Sequence, residues 1–263
     1  MAQNLSFDFK NSCVIVTGGT KGLGRGIAEA FLSTGASVLV CARNAPDEPV
    51  AVAGKDALFV PADVRNPDDV QRVADTAVET YGRIDVLVNN AGGAPPVSSS
   101  EASPRFNERV VALNLLAPIM FSQAVYPTMM SQDTGGVILN IASVAALRPN
   151  PFGVAYGAAK AGLINVSETL SVEWGPKIRV LTVTAGLLVT ENAHLFYGDE
   201  EGIRQVGETI ALGRMGNPED IADVCLFLAS PMAKWMTGAN IKVHGGGEKP
   251  AYLDASTGDV KSA

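Results

Sequence analysis

Histidine and cysteine are scarce: two and three of them, respectively, in 263 residues. Neither type, nor any group of carboxylates, clusters at the short spacing that a metal site needs, so a catalytic metal is not expected. Cys13, Cys41 and Cys225 are odd in number, far apart and set in apolar runs. That is the pattern of reduced core thiols in a cytoplasmic protein, not of a disulfide framework. Charge is sparse too, at 18 % of residues, and its formal balance is −7. An acidic balance argues against a nucleic-acid or anionic-membrane surface. No apolar stretch reaches ~18 residues without a polar or proline interruption, so no membrane span is expected. The first dozen residues, MAQNLSFDFKNS, hold no apolar segment of signal-peptide length. What the chain has is apolar residues, at 47 %, and enough length to bury most of them in one large domain.

Short β-branched runs alternate with helical patterns along the whole chain. Cys13–Thr17, Ser37–Cys41, Leu58–Pro61, Val86–Asn89, Val137–Ile141, Val180–Thr184 and Asn240–Val243 read as strands. Most are apolar throughout, as parallel strands covered on both faces are. Val70, Val73, Ala74, Ala77, Val78 and Tyr81 follow helical spacing. Asn66-Pro67, Ser103-Pro104 and Asn217-Pro218 each pair a capping residue with a proline suited to the first helical position. The Ser103-Pro104 helix is expected to run towards Met130. The alternation implies an α/β fold, a doubly wound (Rossmann) parallel sheet of about seven strands with helices on both faces. We expect one domain over residues 1–247, a substrate lid over about 187–212, and a loosely held polar tail over 248–263.

Strand Cys13–Thr17 runs into Gly18-Gly19-Thr20-Lys21-Gly22-Leu23-Gly24, and an apolar helix follows. Such glycines let the backbone turn sharply and approach a pyrophosphate, whose charge sits at the helix N-terminus. A strand before and a helix after is the context that gives the pattern meaning. Farther along, Tyr156 precedes Lys160 by one helical turn, so an ammonium and a phenol share a face. A neighbouring cation favours phenolate, and a tyrosine tuned that way is a candidate general acid/base.

Thr17-Gly18-x-x-x-Gly22-x-Gly24, Asn89-Asn90-Ala91-Gly92, Ser143 and Tyr156-x-x-x-Lys160 together resemble the short-chain dehydrogenase/reductase family, in order and in spacing, from Thr17 to about Gly246. The resemblance implies hydride transfer between a nicotinamide cofactor and a carbonyl or alcohol. It implies that Ser143 orients the substrate oxygen, that Tyr156 protonates it, and that Lys160 holds the nicotinamide ribose and depresses the Tyr156 pKa. Asn114 matches the family's asparagine, which holds a water linking Lys160 to a proton relay. Asp63 and Val64 correspond to residues at the adenine, Asn90, Ala91 and Gly92 to the adenosine side, and Gly186, Val189 and Thr190 to the nicotinamide side. Family members pair through the helices matching 105–130 and 156–174, so a homodimer or homotetramer is expected.

For the cofactor, the acid of an NAD site lies about 20 positions beyond the loop. Ala42 stands there, followed by Arg43, and Lys21 lies within the loop. Two cations and no acid favour NADP(H) over NAD(H). The chain departs from the family at Ala185, where proline is usual, and at His244, where aspartate is common. Proline is absent, so the loop after Ala185 should be less rigid. His194, Leu195, Phe196 and Tyr197 in the lid suggest a largely apolar substrate: a 3-oxoacyl thioester, a steroid-like or ring ketone, or a sugar-derived ketone. A non-catalytic dinucleotide-binding protein would need only the loop, not the full set Asn114, Ser143, Tyr156 and Lys160. A serine hydrolase would need a Gly-x-Ser-x-Gly elbow, and Ser143 sits between Ala142 and Val144.

Overall fold

A computed structural model describes residues 7–257. Strand β1 (Cys13–Thr17) is followed by α1 (Gly22–Ser33), β2 (Ser37–Ala42), a small antiparallel pair β3 (Ala51–Val52) and β4 (Lys55–Asp56), and β5 (Leu58–Pro61). Then come α2 (Pro67–Tyr81), β6 (Val86–Asn89), α3 (Pro104–Val111) and α4 (Ala117–Ser131), β7 (Gly136–Ser143), α5 (Val154–Glu173) and β8 (Ile178–Ala185). The chain continues through α6 (His194–Tyr197), α7 (Glu200–Thr209), α8 (Pro218–Ala229), β9 (Asn240–Val243) and α9 (Tyr252–Ala255). The seven-stranded sheet has the order β5-β2-β1-β6-β7-β8-β9, and all its pairings are parallel. The chain leaves β1 towards one edge, then returns past it to β6 and builds the other half. A crevice opens at that reversal, outside the carboxyl ends of β1 and β6.

Alternate strand residues feed two core layers, as the pleat requires. Val14, Val16, Val38 and Val40 pack with Ile27 and Phe31 of α1 and Ile221 and Cys225 of α8. Ile15, Leu39 and Cys41 face the other way, onto Val70, Val73 and Ala77 of α2 and Phe121, Val125 and Met129 of α4. Each such large side chain, once buried, contributes roughly 1.5–3 kcal/mol. All three cysteines are free and buried, and burial pushes each thiol up to about 12. Asn66 and Ser103 cap their helices as expected, and Asn217 forms a reciprocal capping box with Asp220.

Four of the seven expected strands end where expected, while β2, β7 and β8 are longer. Ser143 is therefore the last residue of β7, not a residue beyond it, and pairs with Ala185 at the end of β8. Ala185 is held in the ladder and 5 % exposed, so the missing proline is replaced by one more strand residue. The hairpin β3–β4 had no signal, since its short, exposed strands bury almost nothing. Within Pro104–Ser131 the helix widens to a π turn over Ala112–Leu116. By length and composition this is the one helix among the described residues that could cross a membrane, with a mean hydropathy of 1.5 over its most apolar stretch. Its apolar face packs onto the sheet and α2. The segment expected to be a loose tail begins by pairing with residues 209–210. Lys249 N–H donates to Thr209 O at 2.8 Å, and Glu248 forms an ion pair with Arg148. Residues 258–263 of that tail lie outside the described residues.

Candidate active site

The glycine loop after β1 turns at Gly18, whose φ of +63° suits glycine. A Cβ on Gly24 would lie 2.2 Å from Gly18 O and 2.4 Å from Asn90 Nδ2, so only hydrogen fits there. Asn90 braces the loop, its Nδ2 donating to Thr17 O at 3.0 Å and Gly18 O at 3.2 Å. Thr17 Oγ1 in turn accepts from the amides of Asn90 and Ala91, both at 3.0 Å. Beyond the loop lies a cavity of about 380 Å³. Gly18, Thr20, Lys21, Gly22, Leu23 and Gly24 line its floor. Arg43, Asp63 and Val64 close one end, and Asn90, Ala91 and Gly92 line a wall. These donors fit a dinucleotide: a narrow, amide-lined cradle at a helix N-terminus with cations at one end.

Lys21 and Arg43 are exposed, and neither donates a hydrogen bond to another described residue. Asp63, in contrast, is engaged. Arg65 grips it with Nε at 2.9 Å and Nη2 at 2.6 Å, and holds the carboxyl down to about 2. Arg65, Glu191 and Asn192 line the same cavity and had not been anticipated. Arg65 lies two residues past Asp63, where a guanidinium can turn back, and that spacing is a usable signal. Glu191 and Asn192 reach the cavity only because the chain after β8 returns over the loop, which no local pattern announces.

A second cavity, of about 320 Å³, shares Leu23, Asn90, Gly92 and Thr190 with the first. Ser143, Tyr156 and Lys160 line it together. Three strands and α5 are tied by a buried polar ladder that fixes these positions. Asn89 Nδ2 donates to Asn140 Oδ1 at 2.8 Å, Asn140 Nδ2 to Ser167 Oγ at 2.8 Å, and Thr182 Oγ1 to Ser167 Oγ at 2.7 Å. Ser167 is two turns along α5 from Lys160, on the same face, so the ladder aims Lys160 at the strand ends. Lys160 is 3 % exposed and its Nζ donates to Ile141 O at 2.7 Å. Burial lowers its pKa from 10.5 to about 8.

Asn114 is wholly buried, although nearby Leu116 is 47 % exposed, so its burial follows from position, not from apolar neighbours. Its Nδ2 donates to Val110 O at 2.9 Å and to Gly93 O at 3.0 Å, and its Oδ1 accepts from Gly93 N–H at 2.8 Å. The π turn makes this reach feasible, and such turns concentrate at functional sites. A Cβ on Gly92 would lie 2.7 Å from Asn114 Oδ1 and 3.2 Å from Lys160 Nζ, so the three converge.

Tyr156 differs from expectation in one respect. Its phenol is pushed above the ordinary value, chiefly by burial, while the Ser143 hydroxyl hydrogen bond pulls it down and Tyr197 pushes it up. Lys160 Nζ lies 5.9 Å from the ring centroid and is committed to Ile141 O. Desolvation of the phenol therefore outweighs the ammonium in the chain itself. Gly186 and Thr190 also line the second cavity, but Val189 lines neither, its N–H bound to Gly216 O at 2.8 Å. From the segment expected to act as a lid, Leu188, Ala193, Phe196 and Tyr197 face the cavity. His194 and Leu195 do not line it; the His194 Nδ1 sits 2.9 Å from Glu191 O. His244 accepts from Gly246 N–H at 3.2 Å and lies outside both cavities.

A family model described as enoyl-(acyl carrier protein) reductase matches residues 18–248. The chain is 34 % identical over 253 residues to the 7alpha-hydroxysteroid dehydrogenase of Escherichia coli, covering 94 % of this chain and 97 % of that protein. It is 32 % identical over 243 residues to human dehydrogenase/reductase SDR family member 4, covering 90 % and 87 %. Among solved structures, the ligand-free aldohexose dehydrogenase of Thermoplasma acidophilum superposes with a TM-score of 0.82 at 30 % identity, over 90 % of this chain and 94 % of that one. With its parallel seven-stranded sheet, its glycine cradle and its serine, tyrosine and lysine on one cavity, the chain belongs to the short-chain dehydrogenase/reductase family of oxidoreductases, which use a nicotinamide dinucleotide to act on alcohol and ketone groups.

Proposed function

We propose that this oxidoreductase works with NADP(H) on the carbonyl or secondary alcohol of a largely apolar substrate, with Tyr156 as the acid/base. The observation that carries the reading is that Ser143, Tyr156 and Lys160 line one cavity that adjoins the glycine cradle through shared walls. When bound, the nicotinamide supplies or takes the hydride. The chain's own residues do the rest. Ser143 donates to the reacting oxygen and fixes its position, while Tyr156, protonated at neutral pH, gives that oxygen its proton in reduction. Burial raises the phenol's pKa and so keeps it protonated in the chain itself. Lys160 supplies a buried positive charge near the reacting groups. Asn114 holds Gly93 in place, and its Oδ1 keeps one lone pair for a water.

NADP(H) is favoured because Ala42 offers no carboxylate and the side chains of Lys21 and Arg43, both exposed, form no hydrogen bond with another described residue. The apolar side chains Leu188, Ala193 and Phe196 around the second cavity favour a steroid-like, ring or acyl ketone over a sugar. A panel of such ketones, 3-oxoacyl thioesters and aldoses, followed by nicotinamide absorbance with each cofactor, tests this. Turnover of aldoses alone would overturn the apolar assignment. We also propose a cytoplasmic homodimer or homotetramer formed through the helical segments 105–130 and 156–174, since Leu116 and Val172 on these segments are exposed. A monomer in sedimentation would refute that assembly.

A further inference from the structure

Helix α1 begins without a cap of its own. Its N-cap residue Lys21 makes no side-chain bond to the helix, and no acid stands in the first turn. The amide that this leaves at Gly22 is nevertheless taken. Glu191, 169 positions away in sequence, accepts from Gly22 N–H through Oε1 at 2.7 Å. Its second oxygen lies 3.3 Å from the place where a Gly22 Cβ would stand. Of the two acids lining the first cavity, Asp63 is occupied by Arg65, and Glu191 alone bonds to the glycine loop. A carboxylate and a phosphate are guests of the same kind at a helix N-terminus, because exposed N–H groups and the helix dipole favour either. Two anions cannot share that cradle without strong repulsion.

We infer that Glu191 is a built-in occupant of the diphosphate cradle, which an arriving dinucleotide must displace, and that its release is passed on to the substrate wall. The second half follows from what Glu191 is attached to. Thr190 before it lines both cavities. The turn behind it is closed by Ala193 N–H donating to Thr190 O at 2.9 Å, and by His194 Nδ1 at 2.9 Å from Glu191 O. That turn leads directly into α6, whose Phe196 and Tyr197 face the Tyr156 cavity. Displacing the carboxylate thus moves the residues that contact substrate, and cofactor binds first.

The inference rests on the first cavity being a dinucleotide site, and the test separates the two. Dissociation constants are measured by calorimetry on the full chain and on Glu191→Ala and Glu191→Gln, with NADPH, NADH and 2′-AMP. The last has adenine, ribose and a 2′-phosphate but no diphosphate. Both substitutions should tighten binding of the preferred dinucleotide by about tenfold or more, the scale of a charge-assisted hydrogen bond, and leave 2′-AMP within about twofold. Amide exchange across 194–209 should rise when NADPH binds the parent chain, and should already be raised in Glu191→Ala alone. Equal dinucleotide affinity in all three proteins overturns the inference and leaves the site assignment intact. So does tightening that is equally large for 2′-AMP. Failure of every protein to bind either dinucleotide overturns the site assignment, and the inference with it.

Discussion

Replacing Lys160 with methionine should make the fold more stable at neutral pH and less stable in alkali. Lys160 is 3 % exposed, and its pKa falls from 10.5 to about 8 through burial. Keeping it charged inside the fold therefore costs about 3 kcal/mol. The sign follows from proton counts. Below pH 8 both folded and unfolded lysine are charged, so the full cost is present. Between about 8 and 10.5 the unfolded chain binds more protons than the folded one, and the cost fades as pH rises. Methionine fills the same channel without charge, but gives up the bond from Nζ to Ile141 O, worth about 1 kcal/mol. Lys160→Met should thus be about 2 kcal/mol more stable than the parent at pH 7, and about 1 kcal/mol less stable near pH 11. The assay is urea unfolding of both proteins across this range. Taking the difference is essential. The buried thiols, held at about 12, cost both proteins stability as the unfolded cysteines ionise, and that contribution cancels. A difference that stays constant from pH 7 to 11 refutes the reasoning, because it would mean that Lys160 is not desolvated.

Two other substitutions probe the cradle. Gly24→Ala places a methyl 2.2 Å from Gly18 O; the loop must shift, so dinucleotide affinity should fall about a hundredfold or more, read by calorimetry, and stability by about 1–3 kcal/mol. Arg43→Ala should lower kcat/KM for NADPH by about tenfold or more and leave NADH nearly unchanged, since a guanidinium bond to phosphate is worth roughly 1.5–3 kcal/mol. Equal losses with both cofactors would remove the 2′-phosphate assignment.

Local signals carried much of the fold. The strands Cys13–Thr17, Leu58–Pro61, Val86–Asn89 and Asn240–Val243 were legible because parallel strands buried on both faces are apolar throughout. Asn66-Pro67 and Ser103-Pro104 were legible because capping chemistry is local. Tyr156 and Lys160 could be named from helical spacing and Ser143 from the family resemblance, and the fold brings all three to one cavity. What could not be read depends on distant chain segments. Glu191 reaches Gly22 across 169 positions, and Lys249 reaches Thr209 through a pairing of the C-terminal segment with residues 209–210. The widened turn at Ala112–Leu116, from which Asn114 bonds to Gly93 on another segment, has no marker in Ala-Leu-Asn-Leu-Leu. The Tyr156 pKa was misjudged for a related reason. Helical spacing shows which charge is near, but burial decides which influence is larger.

Tyr156→Phe tests the acid/base role most directly, because it removes one oxygen and keeps the ring. The measurement is the pH profile of kcat/KM for ketone reduction, with the cofactor dissociation constant followed alongside. The proposal predicts a loss of about a hundredfold to ten-thousandfold, disappearance of the alkaline fall in rate, and cofactor affinity close to that of the parent. Parent-like turnover with an unchanged pH profile would contradict it.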